Sequence, residues 1–327
     1  MSKITIKDVA KKAGVSISTA SYAINNTGPV SAKTKEKILN AVKELNYIPN
    51  VNAKRLKETT TNTIGIFFNE LFGPIYSEIA KGIEEVVHKE GYDLIACSTY
   101  GGDNSTAHKY LQSGYVDAAI VLGSHLKDEF LERIAKNNIP IVVLDRELSV
   151  KNIQSILIDN FSGAYNATKH LLIDNEDEIY YFTGPKDSYD NQKRFQGYKM
   201  ALETMNIPLK EEYIVSGNFT EKSGYENFIK LYKKGIIPKK IFSANDEMAI
   251  GVITAMKEKN IKGVKLIGFD DIKLSNLISP KLSTISHKKY EMGVLASNVL
   301  FKMLAKKHKT PAIPIILSTE LVERETT

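Results

Sequence analysis

From Thr63 onward the chain repeats one device. Short, almost wholly apolar runs, TIGIFF (63–68), YDLIACS (92–98), DAAIVLG (117–123), IPIVVLD (139–145) and SILIDN (155–160), are followed by EIYYFTG (178–184), YIVSG (213–217), KKIFSAN (239–245) and KLIGFD (265–270). Amphipathic stretches such as YSEIAKGIEEVVHKEG (76–91) and KDEFLERIAKNN (127–138) lie between them. A strand that is apolar on both faces cannot leave either face in water. Such runs require sheets covered by helices on both sides, which is the habit of parallel β-structure. Two series of this kind, in a chain of 327 residues that outgrows one ordinary core, predict two doubly wound lobes.

The first 62 residues obey a different rule. They hold 11 Lys and Arg against 4 Asp and Glu, a net of +7, whereas the rest of the chain nets −1. A positive excess concentrated beside a helical module is the electrostatic footprint of nucleic-acid binding. Thr5 and Asp8 are spaced as a capping box, and Gly14 is placed to end a first helix whose inward stripe is Val9, Ala10 and Ala13. Ser16 can cap a second helix, GVSISTASYAIN (14–25), and Ser31 a third with Ile38, Ala41, Val42 and Leu45 on its apolar face. The second helix buries Ala20, Ala23 and Ile24 on one side, leaving Ile17, Ser18, Ser21 and Tyr22 on the other. Two short helices joined by a glycine-containing turn form a helix-turn-helix. Pro49 stops the third helix, Asn50 can cap a short further one through Leu56, and ETTTN (58–62) reads as a linker.

ITIKDVAKKAGVS (4–16), VSAKTKEKILNAVKELNYIPN (30–50) and AKRLK (53–57) resemble the DNA-binding head of the LacI/GalR family of bacterial repressors. The resemblance implies a helix-turn-helix head (1–48), a hinge helix and linker (49–62) and a periplasmic-binding-protein-like core (63–327). Within that core, lobe one would span about 63–159 and 287–318, and lobe two about 160–286 and 319–327. It further implies that Ile17, Ser18 and Tyr22 meet base edges in the major groove, with Ser21 on the same DNA-binding face. Ser16, Asn25, Ser31 and Thr34 would contact the DNA backbone, and Asn50 is a further DNA-binding position. Leu56, otherwise a linker leucine, would enter the minor groove as an apolar wedge. Many family members read TVSRVLN where this chain has TASYAIN (19–25). Tyrosine cannot reproduce the two-pronged arginine contact to guanine, so the base opposite Tyr22 is expected to differ.

For the core, the resemblance implies a ligand cleft between the lobes. VVLDRE brings Asp145 and Arg146 to a strand end, YDNQKRFQGY brings Asn191 and Arg194, SAND brings Asn245, and GFDD brings Asp270. Carboxylates accept from vicinal hydroxyls, Arg and Asn donate, and an aromatic face covers the apolar side of a sugar ring. Phe219 and Tyr76 fit that last role, and Asn69 and His287 match cleft positions. SAND also brings Asp246 as a candidate ligand group, with a cap for the helix that follows it as the other reading. The expected effector is a sugar or phosphosugar. The alternative is a catabolite-control regulator that takes a phosphorylated phosphocarrier protein as corepressor, because TTTNTIG (59–65) and YIVSGNFTEKSG (213–224) resemble that branch.

Other classes fit less well. There is no GxGxxG after a first strand, no GxxxxGK[ST], and the six histidines are dispersed, so neither catalysis, a cofactor nor a metal is expected. The single cysteine, Cys97, lies in a strand-like run and is expected to be buried and inert. The start MSKITIKDVAKK lacks the apolar region of a signal peptide, which points to the cytoplasm. Two heads on a pseudo-palindromic operator imply a homodimer.

Overall fold

Each helix of the N-terminal segment begins and ends where its caps dictate. In α1 (Ile6–Ala13), Asp8 accepts from the Thr5 backbone N–H at 2.8 Å and from its hydroxyl at 2.7 Å. Gly14 closes the helix at φ +67°, a left-handed conformation that a Cβ would strain. Ser16 accepts from Thr19 N–H at 3.0 Å to open α2 (Ile17–Asn25), and Ser31 accepts from Thr34 N–H at 3.3 Å to open α3 (Ala32–Glu44). The three pack over a small core of Val9, Ala13, Ala23, Ile38, Ala41 and Tyr47.

The computed structural model describes residues 4–48, 60–70, 73–173, 178–305 and 313–327. The expected hinge helix, with Asn50 and Leu56, lies outside the described residues. The chain divides into two units, residues 1–61 and 62–327.

The second unit contains two six-stranded sheets. The first runs in the order β11-β5-β4-β3-β1-β2, built from β1 (Thr63–Phe68), β2 (Asp93–Ser98), β3 (Ala118–Leu122), β4 (Ile141–Val143), β5 (Ile153–Ile158) and β11 (Ile315–Leu317). The second runs β12-β10-β9-β8-β6-β7, built from β6 (Ile179–Thr183), β7 (Ile214–Ser216), β8 (Lys240–Ser243), β9 (Lys265–Phe269), β10 (Ser283–His287) and β12 (Thr319–Val322). Every pairing is parallel except that of β12 with β10, in which Ile285 faces Leu321. The reason is topological. After β5 the helix Asn160–Leu171 carries the chain back along the second sheet before β6 starts, so β6 can run parallel. Only Ser318 separates β11 from β12, so β12 must start at the end where β11 stops and run back.

Helices cover these sheets in pairs. Tyr76–Lys89 lies against Lys289–Leu304, Asn160–Leu171 against Tyr189–Thr204, and Glu221–Lys233 against Asp246–Glu258. Their inward faces, such as Ile79, Ile83 and Val87 facing the side of Met292, Ala296 and Leu300, are buried together in one core. Cys97 departs from expectation. It is half-buried rather than buried because β2 is the edge of its sheet, although partial burial still raises its thiol pKa. No helix among the described residues is long and apolar enough to cross a membrane.

Candidate functional site

Each unit presents one candidate binding surface. In the N-terminal unit, α2 buries Ala20 and Ala23 completely or nearly so. Ile17 and Tyr22 are then turned outward, 47% and 45% exposed, with Ser18 exposed beside them. Ser21 and Asn25 differ from that group. They are half-buried, and the Asn25 amide donates to Ser21 O at 3.0 Å and to Ser21 Oγ at 3.3 Å. Ser16 and Ser31 are committed to helix caps, and the Thr34 hydroxyl bonds that of Ser31 at 2.9 Å, while the first N–H groups of α2 and α3 have no intrahelical partner. The Tyr22 ring lies across Gly28, where a Cβ would sit 2.7 Å from the ring carbon Cγ. Gly28 is therefore the floor on which Tyr22 rests, a role that spacing alone did not suggest.

In the second unit, the carboxyl ends of both sheets open on a cleft of about 730 Å³. Asn69 follows β1, Asp145 follows β4, Asn245 follows β8, Asp270 follows β9 and His287 ends β10. This is the crevice at which open parallel sheets bind ligands. Tyr76 and Phe219 line it as well, Tyr76 stacked on Phe68 at 4.8 Å between ring centroids. Burial, followed by the nearby Asp145, pushes the Tyr76 hydroxyl up to about 12, so it enters the cleft neutral.

The charged residues of the cleft are largely engaged with one another. Arg194 is 3% exposed, and its Nη2 meets Asp270 Oδ1 at 3.0 Å. Its Nε donates to Asn160 Oδ1 at 2.7 Å, its Nη1 to Ala244 O at 2.5 Å, and its plane lies 3.7 Å from the centre of the Phe269 ring. Asn160 completes a relay by donating to Asp190 Oδ1 at 2.7 Å. Arg146 donates to Asp145, to Leu126 O, to Asp128 at 2.8 Å and to Gly123 O, and so braces the loop after β3. Burial raises the Asp145 and Asp270 carboxyls above the ordinary range, against the pull of their arginine partners. Phe219 at φ +69° and Asp270 at φ +108° hold backbone conformations unusual for side chains with a Cβ. Asn245 clamps the first by donating to Phe219 O at 2.8 Å, and Lys289 clamps the second by donating to Asp270 O at 2.6 Å.

His287 stands apart. It is 7% exposed, and its Nδ1 is buried with no hydrogen-bond partner among the described residues. Burial, followed by Lys289 and Arg194, pushes its pKa down to about 3, so the ring is neutral.

Two expectations need correction. Asn191 does not line the cleft. Its Oδ1 accepts from Tyr181, Thr183 and Gly184, and its Nδ2 donates to Gly184 O and Pro185 O, so the amide is used up holding the turn after β6. The residue that faces the cleft with Arg194 is Asp190, which lies four positions before it on the helix rather than three. Asp246 does not cap its helix. Asn245 does so, accepting from Met248 N–H, while Asp246 is fully buried and accepts from Ile272 N–H, Ser275 and Thr284. Glu247, Asp187 and Tyr189 also line the cleft and escaped the sequence reading, because nothing in their local pattern distinguishes them from helix-start residues.

Comparison with known proteins follows the same division. A family model for bacterial regulatory proteins of the lacI family matches residues 5–50, and one for a periplasmic binding protein-like domain matches residues 168–327. The HTH-type transcriptional repressor PurR of Histophilus somni (strain 2336) is 35% identical, with 98% of each chain covered. The HTH-type transcriptional regulator RegA of Clostridium saccharobutylicum is 34% identical, with 99% of each covered. Among solved structures, the lac repressor dimer bound to operator and the anti-inducer ONPF superposes with a TM-score of 0.80 at 27% identity, covering 99% of each chain. The CelR–cellobiose complex, a transcriptional regulator, superposes with a TM-score of 0.75 at 25% identity, covering 99% of this chain and 100% of its own.

Proposed function

Because the chain belongs to the lacI family of bacterial regulatory proteins, whose members bind DNA operators, we propose that it is a homodimeric, cytoplasmic repressor set by a small ring ligand in the core cleft. In this reading Ile17, Ser18 and Tyr22 contact base edges. The first N–H groups at the Ser16 and Ser31 caps, with Thr34, hold phosphates. Leu56 would enter the minor groove, and Asn50 is a further DNA-binding position. Ser21 and Asn25, bonded to each other, shape the helix more than they read DNA. A dimer supplies two heads for the half-sites of a two-fold symmetric operator.

The observation that carries the ligand reading is the composition of the cleft. Two aromatic faces, Tyr76 and Phe219, stand with Asn69, Asp145, Asp270 and the neutral His287 around a space of about 730 Å³, within the range of small-molecule sites. Hydroxyls of a sugar would pair with the carboxylates while an aromatic face covers the ring. The same two aromatic faces could also enclose a flat nitrogen heterocycle, which is the second reading. A phosphocarrier corepressor would leave this polar set unused. A thermal-shift screen of monosaccharides, disaccharides and purine bases tests the reading. A ligand at 100 times its Kd should stabilise the core by about 2.7 kcal/mol. Operator affinity should then change with that ligand. No shift from any of these, together with a response of operator binding to a phosphorylated phosphocarrier, would reverse the assignment.

A further inference from the structure

The cleft is unevenly charged, and the imbalance survives internal pairing. Eight carboxylates line it against three permanent cations, Lys127, Arg146 and Arg194. Each of those cations already has carboxylate partners: Asp103 for Lys127, Asp145 and Asp128 for Arg146, and Asp270 for Arg194. His287 adds no charge, because its ring is neutral, and its buried Nδ1 still lacks a partner among the described residues. Deep in the cleft, by contrast, two half-buried carboxyl groups have no ion-pair partner among the described residues. Among the described residues, Asp190 receives only the Asn160 amide, and the Glu247 carboxyl receives no hydrogen bond.

We propose that the cleft sorts ligands by charge: it admits a hydroxylated ring carrying a basic amine directed at Glu247, with Asp190 the second unpaired carboxyl of the cleft, and it rejects the same ring carrying a phosphate. This rests on the small-ligand reading of the cleft and names the ligand class within it. A phosphate would find only cations already paired with carboxylates and no uncommitted one. Its charge would also have to be removed from water without a compensating partner, which is costly. An ammonium supplies what the site lacks, because a charge-assisted bond to carboxylate is stronger than a neutral one. Burial, followed by Asp270, raises Glu247 to about 7, and burial raises Asp190 to about 6 although Arg194 opposes it. Both groups can therefore pass to the ionised form when a cation arrives.

Matched triplets provide the test: glucose, glucosamine and glucose 6-phosphate, and galactose, galactosamine and galactose 6-phosphate, titrated calorimetrically into the full chain at pH 7. In at least one triplet the amine should bind at least about tenfold more tightly than its neutral parent, since an added charged hydrogen bond contributes about 1.5–3 kcal/mol. The phosphates should give no heat of binding. In Glu247→Gln the advantage of the amine should shrink to within threefold. A phosphate that binds as tightly as its parent, or an amine that gains nothing, overturns the charge rule while leaving the small-ligand reading intact. Silence from all six compounds counts against both. A preference for the amine that persists in both Glu247→Gln and Asp190→Asn overturns the assignment of these two carboxyls.

Discussion

On α2, Ile17 and Tyr22 are nearly half exposed, and Ser18 has no hydrogen-bond partner among the described residues. In the cleft, Arg194 is buried and bonded on three sides before any ligand arrives. The difference separates two ways of building a binding surface. The head projects side chains that its fold does not need, so they can change without disturbing the structure. The core uses its polar residues twice, once to hold strand ends and loops in place and once to line the cleft. A substitution in the cleft thus acts on stability and binding together, whereas one on the exposed face of α2 acts on binding alone.

Salt should separate the two surfaces most strongly. Two heads of net +7 neutralise backbone phosphates, and with about 6–10 such contacts per dimer operator affinity should fall roughly 10³–10⁵-fold between 50 and 200 mM salt. Affinity for a neutral cleft ligand should barely move over the same range, because buried pairs are poorly screened. Parallel salt titrations of both ligands check this, and equal slopes would erase the distinction.

Stability gives the next largest contrast. Arg194→Ala strands Asp270 in a buried site, at a cost of about 3–5 kcal/mol. Tyr22→Ala and Ser18→Ala should remain within about 0.5 kcal/mol of the parent, as surface substitutions do. Urea unfolding followed separately for each unit reads both. A mild effect of Arg194→Ala would mean that the cleft network is not structural.

The two units should also respond to pH with opposite sign. In the core, burial raises Asp246 from 3.8 to about 7, so the folded state holds its proton more tightly than the unfolded chain does. That contribution is complete below about pH 4 and is lost as pH rises toward 7. In the head, hydrogen bonds from Thr5 lower Asp8, so its contribution is present above the ordinary carboxylate range and fades as the solution is acidified. Melting curves from pH 4 to 8 should show the core of Asp246→Asn with a flatter dependence than the parent core. An unchanged slope would remove Asp246 from the account.

The smallest expected effect is at Gly28. In Gly28→Ala the new methyl displaces the Tyr22 ring and should cost about 1 kcal/mol of operator discrimination, the lower end of what one base contact supplies. Competition between cognate and altered operators measures it. Unaltered discrimination would show that the Tyr22 ring does not need its glycine floor.

Much of this was legible in the sequence where the cause is local. Caps at Thr5, Ser16 and Ser31, the left-handed Gly14 and the nine apolar strand runs each depend on residues a few positions apart. The cleft was legible only in part. Asp145, Arg194 and Asp270 stand at strand and helix ends that any doubly wound lobe turns toward its crevice. Whether a polar side chain there is free or spent depends on residues far along the chain. Arg194 is engaged by Asn160, Ala244 and Asp270, and Asn191 by the turn at Gly184 and Pro185. The misplacement of Asn191 for Asp190 was a choice between i−3 and i−4 on one helix, which periodicity alone does not resolve. Strands β10 to β12 are hard to read locally because β11 and β12 are only three and four residues long, and β10 and β12 mix polar with apolar residues.

The central claim is that the exposed face of α2 reads DNA sequence, and selection from a pool of randomised duplexes tests it most directly. The full chain should enrich a two-fold symmetric site at moderate salt. Tyr22→Arg should enrich a related site with guanine favoured at the base pairs that face residue 22, by about 1–3 kcal/mol, because only arginine offers the paired donors guanine accepts. A tyrosine that merely touched a phosphate would carry no sequence information. Enrichment of no site by the parent chain, or of the same site by both proteins, would contradict the claim.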